Sequence, residues 1–216
     1  MKYIFLALFI CASILHLFAS FTKNSKLRAI SKPILLPSLF FFYIHSVENP
    51  SLFISLALLF SWLGDLFLIP NGLKWFTCGG ISFIISHLFF VLGYAKGFSF
   101  SEIPWFYYVI FPIIYFVIVF AVFIKLKPHL KKGLSIPIGL YLLVNGAMNC
   151  FAIFRHCMFG DIASMVTLIG AVLFFISDVI LFFVRFDKTF KMKSHFWVMI
   201  FYLLGEFLII FGFIIW

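Results

Sequence analysis

The chain has 216 residues, of which 65% are hydrophobic, 22% aromatic and only 11% charged, with a formal net charge of +9. A soluble domain carries about 25% charged residues and is roughly half apolar. The composition therefore excludes a water-soluble fold and describes an all-α, polytopic membrane protein. The basic excess does not require a nucleic-acid partner, because Lys and Arg collect in the cytoplasmic loops of membrane proteins. The 35 Phe read as lipid-facing filler.

The opening stretch MKYIFLALFICASILHLFAS resembles a signal peptide, with Lys2, an apolar run, and small residues at Ala19 and Ser20. One Lys precedes that run, whereas Lys23, Lys26, Arg28 and Lys32 follow it. This imbalance holds the far end in the cytoplasm and predicts a retained first span with the N-terminus outside. Polar breaks then divide the chain into eight apolar runs, roughly 3–20, 31–46, 50–69, 72–95, 104–124, 133–154, 161–184 and 195–216. Most reach the about 20 residues that cross a hydrocarbon core. In lipid, backbone groups must be satisfied within the segment, so the runs are helices. The second run is short and carries Pro33 and Pro37, which predicts a bend or tilt.

Counting Lys and Arg by side, the loops after spans 1, 3, 5 and 7 hold four, one, four and four, against Lys2, Lys96 and Arg155 opposite. This bias puts both termini outside. Residues 1–216 read as one integral membrane domain, and a bacterial inner membrane suits so short a chain better than the endoplasmic reticulum. The four cysteines (Cys11, Cys78, Cys150 and Cys157) have no CxxC spacing and lie in or near apolar runs. They read as small buried hydrophobes rather than a disulfide or metal site.

Spans 3 and 7 each carry one aspartate, Asp65 in SWLGDLFLIP and Asp178 in FFISDVILFF. Spans 4 and 8 carry His87 in SHLFFVLGY and Glu206 in GEFLIIFGF, each six residues before a Gly. Two parallel four-helix repeats account for this pattern. Chance in a Phe/Leu/Ile-rich chain accounts for it about as well. At about 1.5 Å per residue, Asp65 lies roughly 7 Å from Pro70 and Asp178 about 10 Å from Arg185. Lys32 falls at the cytoplasmic mouth of span 2, and Tyr141 and Asn145 lie about 12 to 18 Å into span 6. Tyr202 and Glu206 share that layer in span 8, and His87 lies near the middle of span 4. These depths predict one polar cavity near the cytoplasmic side.

A charge at the bilayer centre costs at least about 2.5–3.5 kcal/mol, so such residues face the bundle interior and are functional candidates. The structural alternatives are an Asp65–Lys32 pair, and an Asp178 that caps a helix or accepts from Tyr. Asn145 and Asn149, at i, i+4, suit helix–helix glue or cavity lining equally. Gly64, Gly79, Gly80 and Gly93 are expected to allow close helix packing, and His16 has no evident partner. Nucleophile elbow, HExxH, Walker and GxGxxG motifs are absent. No His or Asp pair at i, i+4 suits a metal, so neither metal nor cofactor is expected. Carboxylate chemistry or ion translocation remains.

The segments SKPILLP (31–37), SWLGDLFL (61–68), GGISFIISHLFFVLGY (79–94), YLLVNGAMN (141–149), GAVLFFISDVILFF (170–183) and YLLGEFLI (202–209) occur in that order within the eight-helix frame. In order and spacing they resemble the YhhN-type lysoplasmalogenase family over nearly the whole chain. One departure is Glu206, where the family pattern has Gln. The resemblance implies a hydrolase that cleaves the vinyl ether of lysoplasmalogens to a fatty aldehyde and glycerophosphocholine or glycerophosphoethanolamine. It maps the family's proposed catalytic aspartates onto Asp65 and Asp178. A vinyl ether is cleaved by protonation of its outer carbon, which needs one carboxyl held neutral and one carboxylate to stabilise the oxocarbenium ion. Burial and a neighbouring acid separate two titrations in that way, and glycosidases divide the labour similarly. On this reading Asp178 is the proton donor and Asp65, closer to Lys32, the ionised partner. His87, Tyr141, Asn145, Tyr202 and Glu206 would orient water and the glycerol oxygens, and Lys32 would meet the lipid phosphate. The expected partners are the bilayer and a lysophospholipid substrate. The same polar residues also suit a proton-coupled carrier of a lipid or small solute, or a non-catalytic membrane scaffold or sensor.

Overall fold

The computed structural model describes residues 1–99, 101–190 and 195–216. The chain is all-helical among these residues: α1 Lys2–Phe21, α2 Ser25–Ile44, α3 Leu52–Phe67, α4 Leu73–Tyr94, α5 Tyr107–Leu126, α6 Ser135–Phe159, α7 Ile162–Phe186 and α8 His195–Ile215. A short 3₁₀ turn, Lys127–His129, follows α5. Seven of the helices are long and apolar enough to cross a membrane, and α3, of 16 residues, is a shorter apolar helix. The protein is a multi-pass integral membrane protein.

Two helix boundaries differ from the sequence expectation by five residues or more, each for a local reason. Helix α2 begins at Ser25 rather than 31, because Asn24 caps it by accepting the Leu27 N–H at 3.1 Å. Lys26, Arg28 and Lys32 thus ride on its first two turns, and Lys32 lies inside the helix, about 10 Å from its start, not at its mouth. Helix α6 runs on to Phe159, where Gly160 closes it in the left-handed conformation at φ 62°. Asp161 at once caps α7 by accepting the Ser164 N–H at 2.7 Å. Arg155 is therefore a wholly buried helix residue and not part of an outer loop. Helix α3 ends at Phe67, short of the expected 69.

The helices form two compact units, Met1–Gly93 with Ile215 and Tyr94–Ile214 with Trp216. In the first, α1 and α2 form a hairpin, and the Nδ1 of His16 meets Ser31 Oγ at 2.8 Å, which supplies the partner its sequence did not show. Pro37 has no N–H, so it leaves the Pro33 carbonyl without its helical donor. The Trp62 indole N–H of α3 takes that place at 3.0 Å. Helices α3 and α4 are joined by hydroxyls: Ser82 donates to the Phe60 carbonyl at 2.7 Å, Ser86 to the Ala57 carbonyl at 2.8 Å, and Ser61 meets Ser86 at 2.8 Å. Gly64 and Gly93 sit against the Phe83 and Ile54 side chains, and Gly79 against Leu68. A Cβ on Gly80 would meet nothing within 4 Å, so Gly80 does not serve the packing expected of it.

In the second unit the closest crossing is α7 on α8. A Cβ on Gly170 would fall 2.6 Å from the Ile209 backbone nitrogen, and one on Gly205 would fall 2.8 Å from that of Phe174. Only glycine lets two backbones approach so closely. Ser177 adds a bond from its hydroxyl to the Val198 carbonyl at 2.9 Å.

Candidate functional site

In the first unit the acid is Asp65, two residues before the end of α3 and 2% exposed. Lys32 reaches it from α2, with Nζ 3.0 Å from Oδ1. Both side chains are largely removed from solvent, at 12% and 3% exposure. A buried carboxylate is tolerated when a cation compensates it, and Lys32 provides one. His87 is fully buried on α4, next in sequence to the Ser86 that bonds α3.

In the second unit the acid is Asp178 on α7, 4% exposed. Two neutral donors from α6 converge on its Oδ2, the Tyr141 hydroxyl at 2.7 Å and the Asn145 side-chain amide at 2.7 Å. Their i, i+4 spacing puts both on one helix face. Asn149, one turn further, donates to the Asn145 carbonyl at 3.0 Å and to its Oδ1 at 3.2 Å. The Tyr115 hydroxyl of α5 donates to Asn149 Oδ1 at 3.2 Å. A directional chain of donors thus runs Tyr115, Asn149, Asn145, Asp178 across three helices. The two asparagines serve as helix–helix glue, and Tyr115 is a member the sequence reading missed. On α8, Tyr202 packs its ring edge-on against Phe174 at 5.3 Å, and Glu206, one turn on, is fully buried.

The two units repeat one internal plan. In each, the third helix carries a buried acid and the second helix supplies its partner. The residue just before the acid meets the fourth helix, Gly64 against Phe83 and Ser177 against Val198. The described partners differ in charge: an ammonium at Asp65, a phenol and an amide at Asp178.

Arg155 is a buried cation of the second unit. Arg155 is 0% exposed, and its guanidinium lies 4.0 Å from the Trp216 ring centroid, 4.9 Å from Phe213 and 5.0 Å from Phe159. Its Nη1 donates to the Tyr94 carbonyl at 3.5 Å. Among the described residues no group of three or more His, Cys, Asp or Glu is placed to hold a metal ion; all four cysteines are free, but only Cys150 is buried as expected, and Cys11 and Cys157 are exposed.

No curated protein and no solved structure matches the chain. The protein-family model of the YhhN family matches residues 27–213, a span that takes in both acids, all their described partners, helices α3 to α7 whole and most of α2 and α8. By that match the chain belongs to the YhhN family.

Proposed function

We propose that this protein is a membrane hydrolase that cleaves the vinyl ether of lysoplasmalogens, releasing a fatty aldehyde and the glycerophospho-head group. The observation that carries the reading is the unlike dressing of two buried aspartates. Asp178 is 4% exposed, and its described donors, Tyr141 and Asn145, carry no charge to compensate a carboxylate, so we assign it the proton. Asp65 is ion-paired with Lys32, an environment suited to a carboxylate. Acid hydrolysis of a vinyl ether asks for one group of each kind.

In the proposed sequence Asp178 transfers its proton to the outer alkene carbon, and the ether carbon becomes an oxocarbenium ion. The Asp65 carboxylate stabilises that positive charge. Water adds to the ether carbon and gives up one proton, which restores the acid. The resulting hemiacetal breaks its bond to the glycerol oxygen, which takes the hydroxyl proton as the aldehyde forms. One water is consumed and no other reactant is needed. Tyr141 and Asn145 hold the Asp178 carboxyl in place, while His87, Tyr202 and Glu206 orient water and glycerol oxygens. Lys32 meets the lipid phosphate. The positive-inside bias gives both termini an outside location, and a bacterial inner membrane is the proposed home.

The test is purified protein in detergent with a lyso-alkenyl-glycerophosphoethanolamine and a direct assay of free aldehyde. The reading expects aldehyde from the parent protein and none above background from Asp65→Asn or Asp178→Asn. Folded parent protein that releases no aldehyde across pH 5 to about 8, the range in which proteins are generally most stable, would overturn it.

A further inference from the structure

Between α2 and α3 lies an apolar slot of about 260 Å³, lined by Leu36, Pro37, Phe40, Phe41, Leu58, Leu59 and Trp62. Leu36 and Leu58 form its floor, each 1% exposed, while Phe41 at 44% and Leu59 at 42% stand at its rim. Its wall exposes no polar surface. The Trp62 indole N–H, the polar group closest to hand, is already committed to the Pro33 carbonyl. An apolar cavity of about 150 Å³ stays dry and admits apolar guests, and this one is larger. The slot lies at the middle of α3 and in the C-terminal half of α2. Lys32 lies one turn from Leu36 along α2, and Asp65 lies one turn from Trp62 along α3. The ion pair of these two residues therefore marks the same end of the slot on both helices.

We propose that this slot binds the hydrocarbon chain of a single-chain amphiphile, with its polar end toward the Lys32–Asp65 pair. The apolar wall selects a chain, and the open rim gives a chain entry from the lipid. The charged pair selects the polarity of the end next to it. A single-chain lipid suits the slot because the pair is nearly buried, so a head group must leave the interface to reach it. A diacyl lipid would bring a second chain against the pair, where the slot offers no second groove. The assignment of this ligand as the substrate rests on the hydrolase reading above. The binding itself does not.

The experiment uses a non-hydrolysable alkyl-ether lysophosphoethanolamine with a diazirine near the chain end, crosslinked to the full-length protein in detergent and mapped by mass spectrometry. Labels on Leu36, Phe40, Leu58, Leu59 or Trp62 that unlabelled lysolipid suppresses, and that diacyl phosphatidylethanolamine does not, are expected. Leu59→Trp fills the slot from its exposed rim with little demand on the core. It should weaken binding of a long-chain analogue at least tenfold and leave binding of an eight-carbon analogue within about twofold, with an unchanged melting temperature. Labels outside the slot, equal competition by diacyl lipid, or Leu59→Trp binding both chain lengths as the parent does would each overturn the proposal. Because the probe is not turned over, these outcomes are read whether or not the protein releases aldehyde.

Discussion

Lys32 places its ammonium 3.0 Å from the carboxylate of Asp65 where neither side chain has much access to solvent. Removing one partner of such a pair leaves a buried charge uncompensated, whereas removing both together costs much less. Lys32→Met is expected to destabilise the fold by about 3–5 kcal/mol. The double variant Lys32→Met/Asp65→Asn is expected to recover most of that loss. Thermal unfolding of these two variants and of Asp65→Asn in one detergent measures the coupling, and additive losses would show that the pair is not held as an ion pair.

Asp178 and its two α6 donors make a graded prediction for activity. If Asp178 delivers the proton, Asp178→Asn removes a general acid, and such groups contribute about 10²–10⁴-fold. Tyr141→Phe deletes one hydrogen bond to the acid and leaves Asn145 in place. A net hydrogen bond is worth about 0.5–1.5 kcal/mol, so aldehyde release should fall by about tenfold or less. A Tyr141→Phe loss as large as that of Asp178→Asn would move the proton-donor role to the tyrosine.

Much of this arrangement was legible in the sequence, because the cost of charge in lipid singles out the few ionisable residues. Asp65 and Asp178 stand out for that reason, and Tyr141 and Asn145 fall on one helix face by their spacing alone. Lys32 as the partner of Asp65 was one of the readings open at that level. The partners that escaped depend on how helices dock. Tyr115 is one tyrosine among several in an apolar helix, and nothing in its surroundings points to Asn149. Trp62 could have been sought from Pro37, since a proline inside a helix always frees the carbonyl four residues back. The apolar run of α6 ends at 154, and so the sequence reading puts Arg155 in a loop. The pair Gly160–Asp161, a left-handed cap followed by a helix-starting acid three residues before Ser164, carries the signal that extends α6 to Phe159.

The glycines separate by what a side chain would strike. At Gly205 an added Cβ meets the backbone of α7, 2.8 Å from Phe174 N and 3.0 Å from Gly170 O, and backbone does not rotate away. Gly205→Val is expected to push α7 and α8 apart and cost about 1–3 kcal/mol or more. Gly80 has open space, and Gly80→Ala should be neutral or stabilising by up to about 1 kcal/mol, because alanine favours the helix. Parallel melting curves check the contrast, and equal losses at both positions would remove the packing argument.

Arg155 spreads a planar guanidinium against three aromatic rings, the nearest 4.0 Å from its centre. Lysine carries the same charge without the plane that stacks. Arg155→Lys should therefore lose stability despite the conserved charge, by about 2 kcal/mol if the desolvated stacking is the chief contribution. An Arg155→Lys variant that melts with the parent protein would show that charge alone suffices there.

Asp161 gives a pH signature outside the spans. The Ser164 side chain, and then its backbone N–H, hold the Asp161 carboxyl below the ordinary aspartate value of 3.8. A folded-state pKa below the unfolded one means that the unfolded chain binds the proton more readily, so stability rises with pH across that interval. The contribution is fully present above about pH 3.8 and is lost as the pH falls through the lower folded value. Asp161→Ala is expected to cost about 1 kcal/mol at neutral pH, the usual size of a helix N-cap. Because the carboxylate is partly exposed, salt should shrink the electrostatic part of that loss. The gap between parent and variant melting temperatures should be constant from pH 7 to about 5 and close below the ordinary aspartate value. A gap that persists unchanged into strong acid would mean that the helix start is held by the Gly160 turn and not by the ionised cap.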